Sequence, residues 1–151
     1  MTVDVEYDLD PERRVEDLLA LYRTYDWWAD RTEEDLRQAL RHTDELVALC
    51  EPDAGVIIAA ARVLIDYVYY AMVYDVVVGE RHRGEGLGRR LIEAVVDHPD
   101  LTETRGLSLL CREGLVPFYE SCGFEIGDET VTHPDGAPEP LRWMRYQRER
   151  K

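Results

Sequence analysis

The chain has 151 residues, a hydrophobic fraction of 45% and a formal net charge of −14, and every basic residue except Lys151 is an arginine. That length suits one domain, residues 1–151, with one real core. No apolar run approaches the ~20 residues of a membrane span, and "MTVDVEYDLDPERR" lacks the basic and apolar regions of a secretory signal. An acidic surface repels nucleic acid and anionic membranes. These features predict a soluble, cytoplasmic protein, and the charge suits a salt-rich medium that screens self-repulsion.

The elements are predicted in chain order. Val3 to Tyr7 alternate apolar and polar, as a first strand does. Asp10 and Pro11 open a helix with a capping carboxylate and a proline at its first position; Val15, Leu18, Leu19 and Tyr22 give it an apolar face. "TYDWWAD" interrupts it. Thr32, backed by Asp35, caps a second helix through Leu36, Ala39 and Leu40. "ELVALCE" and "GVIIAAARVLID" read as strands joined by the hairpin turn "PDAG". "YVYYAMVYDVVV" is a third long strand, rich in aromatic and β-branched residues. It places Tyr67 and Tyr69 on one face and Tyr70 on the other. After the turn "GERHRGEGLG", a helix is marked by Leu87, Leu91, Ala94 and Val95 and ended by Pro99. "GLSLLC" is a short buried strand, "GLVPFYESC" a short helix stopped by Gly123, and "FEIG" and "LRWMRYQ" are closing strands around the loop "THPDGAPEP". The strand–turn–helix–strand unit from Tyr67 to Cys111 needs a crossover, so its two strands are expected to be parallel neighbours. Cys50, Cys111 and Cys122 have no zinc-ligand spacing and read as reduced, partly buried residues, with no metal site implied.

The glycine turn carries the chemistry. It lacks the GK[ST] end of a P-loop, and "GEGLG" is not the GxGxxG of a dinucleotide fold with its acidic residue about twenty positions on. What remains is R-x-x-G-x-G, formed by Arg83, Gly86 and Gly88. Glycines let backbone N–H groups approach a ligand and point the same way. The helix that begins there adds its positive end. The product is an anion cradle suited to a pyrophosphate, with a plain tight turn as the alternative.

"YDVVVGERHRGEGLGRRLIEAV" resembles the central motif of the GNAT superfamily of N-acetyltransferases. "GLSLLCREGLVPFYESCGFE", one helix and a loop later, resembles that family's second motif, with its "FYExxGF" helix. Two motifs in order and at the right spacing are far more specific than one. The resemblance covers roughly residues 46–128. It implies an α+β, three-layer fold: a mixed, mostly antiparallel sheet of six or seven strands, about four helices and a splayed parallel strand pair.

The resemblance also implies a site. Arg83, Gly84, Gly86, Leu87, Gly88 and Arg89 would bind the pyrophosphate of acetyl-CoA through main-chain N–H groups. Val76, Val77 and Val78 would pair with the pantetheine arm as an added strand. Tyr119 matches the family's tyrosine that protonates the departing thiolate. Asp75 stands where a base would be, with a structural carboxylate as the equal alternative. Arg112 or Glu113 would have to stand in for a loop asparagine or aspartate that many family members carry, and Glu80, His82 and His133 are weaker candidates. Tyr25, Trp27 and Trp28 would wall an acceptor pocket, with at least one tryptophan filling core; indole faces attract ammonium ions. The expected activity is acetyl transfer from acetyl-CoA to a primary amine of a small molecule, through a ternary complex, with no metal, in a monomer or homodimer. A protein N-terminus or lysine as acceptor, a CoA-binding module without turnover, and an interaction protein stay open.

Overall fold

The computed structural model describes residues 2–52, 55–131 and 140–148. Its chain order is β1 (Asp4–Glu6), α1 (Val15–Tyr22), α2 (Glu33–Arg41), β2 (Glu45–Cys50), β3 (Ile57–Ile65), β4 (Tyr70–Val78), α3 (Leu87–Val96), β5 (Gly106–Arg112), α4 (Val116–Ser121), β6 (Glu125–Val131) and β7 (Leu141–Gln147). The predicted caps are in place. The Asp10 carboxylate accepts from the Glu12 N–H ahead of a 3₁₀ turn that leads into α1, and the Thr32 hydroxyl accepts from the Asp35 N–H at the start of α2. His133 and most of the "THPDGAPEP" loop lie outside the described residues, as do the two central positions of "PDAG".

The strands form one seven-stranded sheet in the order β1-β2-β3-β4-β5-β7-β6. Every pairing is antiparallel except β4 with β5, the crossover pair bridged by α3. Alternation along β2 sorts its side chains between two cores. Leu46, Ala48 and Cys50 face α1 and α2 beside Leu18, Tyr22 and Leu36. Val47 and Leu49 face α3 beside Leu91, Ile92 and Val95, and Tyr119 and Phe124 extend that core at α4. Two helices therefore cover each face, giving the expected three layers. No helix among the described residues is long and apolar enough to cross a membrane.

One strand boundary differs from expectation. β4 begins at Tyr70, because the Asp66 carboxylate accepts from the N–H groups of Val68, Tyr69 and Tyr70 and folds residues 66–69 into a tight turn. Those three bonds hold the Asp66 carboxyl below its ordinary pKa. Tyr67 sits there at φ +65°, so Tyr67 and Tyr69 belong to a hairpin tip. Both are exposed, as is Tyr70.

Two irregularities prepare the site. The register between β3 and β4 shifts between Ala60 and Arg62, a bulge that holds Asp75 at φ +52°. The ladder between β4 and β5 stops at Val73 opposite Leu109. Beyond it β4 runs on to Val78 and β5 to Arg112, and β5 stays paired with β7 on its other edge through Arg112. The two parallel strands thus part at their C-terminal ends.

Candidate active site

The gap between β4 and β5 opens into a cavity of about 1190 Å³. The glycine turn, the end of β4, the end of β5, α4 and the α1–α2 connection all border it.

At the glycine turn, Gly84 and Gly86 have φ of +83° and +82°, and a Cβ at either would meet nothing within 4 Å. They are glycines for backbone conformation and for open space above them. Gly86 is also the N-cap of α3 and offers no side-chain cap, so the first N–H groups of a ten-residue helix face outward. Gly88 has a different reason: a Cβ there would lie 3.3 Å from Phe118 Cζ, so it lets α3 pack against α4. Val76, Val78, Arg83, Gly84, Gly86, Gly88 and Arg89 all border the cavity. Val77 and Leu87 send their side chains into the two cores, leaving only their main chain for a ligand.

Two predicted residues do more than was expected of them. The Tyr25 hydroxyl accepts from the Val78 N–H at 3.1 Å and donates to the Val78 carbonyl at 3.3 Å. It therefore occupies the main-chain groups on which a ligand strand would pair. The Arg83 guanidinium stacks 4.3 Å from the centre of the Tyr25 ring and donates to Thr24 Oγ1 and the Val78 carbonyl. Tyr25 is thus a bridge to the β4 edge as well as part of the wall.

Tyr119 is buried on α4, edge-on to Phe118 and Phe124, and borders the cavity. Burial, with smaller contributions from Cys111, Cys122 and Tyr25, pushes its phenol well above the ordinary tyrosine value. It stays protonated at neutral pH and has a proton to give. Cys111 is buried beside it, and burial raises the half-buried Cys122 thiol.

Asp75 does not fit the role of base. Arg31 grips both carboxylate oxygens, at 2.8 and 3.1 Å, and Arg62 Nε adds a third bond at 2.7 Å. Burial alone would push the carboxyl up, but the two guanidiniums outweigh it and hold it below the ordinary aspartate value. A carboxylate so held has little affinity for another proton. Arg62 also donates to Thr43 Oγ1 at the end of α2, so this cluster ties α2, the α1–α2 connection and the β4 bulge together.

Trp27 and Trp28 border the cavity with ring centres 5.9 Å apart, and Trp28 also packs against the core under α1. Cations already cover the indoles: Arg31 lies 4.6 Å from the Trp28 ring centre and Arg112 lies 4.1 Å from that of Trp27. Tyr67, Tyr69 and Tyr70 do not border the cavity, being at the far end of the sheet. Sequence reasoning missed Arg31 and Arg62, whose local context marks neither. A buried aspartate in a strand demands a cation, but the partner 44 positions away has no sequence signature.

Known proteins resemble this chain in sequence and in fold. The family model described as "Acetyltransferase (GNAT) family" matches residues 9–124. A curated relative, serotonin N-acetyltransferase 2, chloroplastic, of Oryza sativa subsp. japonica, is 34% identical over 80% of this chain and 56% of its own. Glucosamine 6-phosphate N-acetyltransferase 1 of the same plant is 34% identical over 54% of this chain and 53% of its own. The chain thus spans about half the length of these curated relatives. An acetyltransferase structure of the same family, from Xanthomonas campestris pv. campestris, superposes with a TM-score of 0.66 at 30% identity, covering 83% of this chain and 85% of that one.

Proposed function

Because the chain belongs to the GNAT family of acetyltransferases, we propose that it transfers the acetyl group of acetyl-CoA to a primary amine of a small molecule by direct attack. The observation that carries this reading is the parting of β4 and β5 after Val73 and Leu109, which opens the cavity between the glycine turn and Tyr119.

The residues fit acetyl-CoA, which supplies the activated thioester. The open space over Gly84 and Gly86 and the uncapped start of α3 suit the pyrophosphate, with N–H donors from residues 83–89. The β4 edge from Val76 to Val78 suits main-chain pairing with the pantetheine arm. That pairing reaches Val78 once the Tyr25 hydroxyl gives way. The amine, held against Trp27 and Trp28, attacks the acetyl carbon, and the C–S bond breaks. Tyr119 gives its phenolic proton to the leaving sulfur and regains one from solvent. The ammonium proton goes to water in the cavity, and Asp75 positions Arg31 and the bulge.

Calorimetric titration with acetyl-CoA, in molar KCl and again in low salt, tests the reading together with thiol release over a panel of amines. Saturable one-to-one binding with turnover is expected; a folded protein that binds no acetyl-CoA overturns it. Tyr119→Phe is expected to lower kcat by about 10²-fold, within the usual range for an acid catalyst, and to leave acetyl-CoA affinity unchanged. Equal turnover in the two proteins removes Tyr119 from the acid role.

A further inference from the structure

The sheet face that carries α1 and α2 is only half covered. Those helices lie over β2, β3 and the C-terminal end of β4, where Leu46, Ala48, Ala60 and Val77 are buried beneath them. The sheet then runs on through β5, β7 and β6. No helix of the described residues covers this face of them: Arg145 and Gln147 are exposed, and Leu110 and Trp143 are half-buried. The alternation that sends Ala71, Val73, Leu107, Leu109 and Met144 into the core under α3 turns Tyr70, Met72, Tyr74, Leu110 and Trp143 onto this open half. One row stands in register across five strands: Leu64, Met72, Ser108, Arg145 and Glu125. Tyr70 is 68% exposed, and Tyr69, Tyr74 and Leu64 are exposed with it. The Tyr69 and Tyr70 rings have centres 6.0 Å apart. At about 200 Å² for each side chain, these three tyrosines alone leave about 300 Å² in water. A continuous apolar patch of that size marks a contact surface.

We propose that a second copy of this chain docks here, face to face, about a two-fold axis along β5 at Ser108, so that Arg145 of each copy lies over Tyr70 and Met72 of the other. The proposal goes beyond the acetyltransferase reading and does not rest on it. The size suits a dimer. Five strands about 4.8 Å apart and about six residues long span roughly 24 by 20 Å. With the hairpin tip and the relief of the side chains, that face is on the order of the 800 Å² that each partner of a stable dimer buries. The chemistry suits a copy of the same face. Ser108, the small member of the row, stands third of five, so the axis through it carries β7 of one copy onto β4 of the other. Arg145 then meets a tyrosine face and a thioether, and Trp143 meets Tyr74. Tyrosine, tryptophan, methionine and arginine are the residues that interfaces favour, and a guanidinium is attracted to a tyrosine ring. Glu125, on the edge strand, stays at the rim. Nucleic acid and anionic membranes are poor occupants of any face on a chain of net charge −14.

Sedimentation equilibrium of the full chain, from micromolar to submillimolar protein, tests this at about 0.01 M and about 1 M KCl. A monomer–dimer equilibrium is expected, tighter in high salt, because screening relieves the repulsion of two acidic chains and leaves the apolar contact intact. Tyr70→Arg is expected to weaken the dimer by about 100-fold, since the change enters the contact twice, and Arg145→Glu by about tenfold. The double variant, Tyr70→Arg with Arg145→Glu, is expected to recover to within about tenfold of the native Kd. In one chain those two positions lie on β4 and β7 with β5 between them, so recovery reports a contact between copies. Ile126, exposed on β6 opposite the buried Met144, points to the other face, and Ile126→Arg is expected to leave the dimer as it was. Circular dichroism confirms that each variant is folded. A chain that stays monomeric in both salts overturns the proposal and leaves the stripe to a different occupant. A dimer that falls apart as salt is raised, that Tyr70→Arg and Ile126→Arg weaken equally, or that the double variant does not recover overturns it as well. The acetyltransferase reading stands or falls separately, on acetyl-CoA binding and thiol release.

Discussion

Asp75 occupies a backbone position that few residues accept, φ +52° within a strand. Aspartate and asparagine are the side chains that best tolerate this region. Asp75→Asn therefore keeps the bulge conformation and removes only the charge, leaving Arg31 and Arg62 facing each other. Breaking a buried ion pair from one side costs about 3–5 kcal/mol. Here Arg31 and Arg62 are 27% and 15% exposed, so a loss toward the low end, about 2–4 kcal/mol, is expected in urea unfolding at pH 7. The pH dependence has a definite sign. The folded pKa is lowered, so the stabilisation is complete above the unfolded value of about 3.9 and disappears as pH falls through the lower folded value. The stability gap between the two proteins should therefore close in acid. Turnover should fall by no more than about tenfold, because a lost general base removes 10²- to 10⁴-fold. A larger loss in a folded variant would return Asp75 to the chemistry.

The free edge of β4 is where strand, loop and ligand meet, and Tyr25 governs it. Tyr25→Phe removes one hydroxyl and with it both bonds to Val78. About 1 kcal/mol of stability should be lost, the usual net worth of a hydrogen bond. Acetyl-CoA should bind at least as tightly as before, because the arm no longer has to displace the hydroxyl. Weaker binding would mean that the hydroxyl itself contacts the ligand, and the β4 pairing would have to be redrawn. This edge also marks the limit of what the sequence could disclose. The strands, the helices and the parallel crossover were legible because periodicity and caps are local signals: Thr32 announces α2, and Gly86 announces α3. The glycine turn and Tyr119 were legible as motifs. Not legible were the grip of Arg31 and Arg62 on Asp75, the reach of Tyr25 to Val78 across 53 positions, and the arginines laid on the indoles. Each depends on how distant elements pack. The start of β4 was misplaced for a local reason: three backbone N–H groups converging on Asp66 outweigh the strand propensity of Tyr67, Val68 and Tyr69.

At the scale of the whole molecule the charges act together. Ion pairs such as Arg37–Glu33, Arg41–Glu12 and Arg89–Glu93 are exposed, and pairs of that kind contribute little individually. They cannot offset the mutual repulsion of an excess of fourteen negative charges, which destabilises the compact state. Salt acts on the two effects in opposite directions, weakening the exposed pairs and relieving the general repulsion. With so large an excess of one sign, relief should win. At 1 M salt the screening length is about 3 Å, against about 30 Å at 0.01 M. Thermal unfolding followed by circular dichroism from 0.01 to 1 M KCl should show Tm rising, by about 2–4 °C for each kcal/mol gained in a chain of this size. The same titration in sodium chloride should give a matching rise if screening is the cause, since screening depends on ionic strength and not on the cation. A Tm that falls with salt would mean that the ion pairs, not the net charge, dominate. The acidic surface would then bear on solubility and encounter with ligands and not on the stability of the fold.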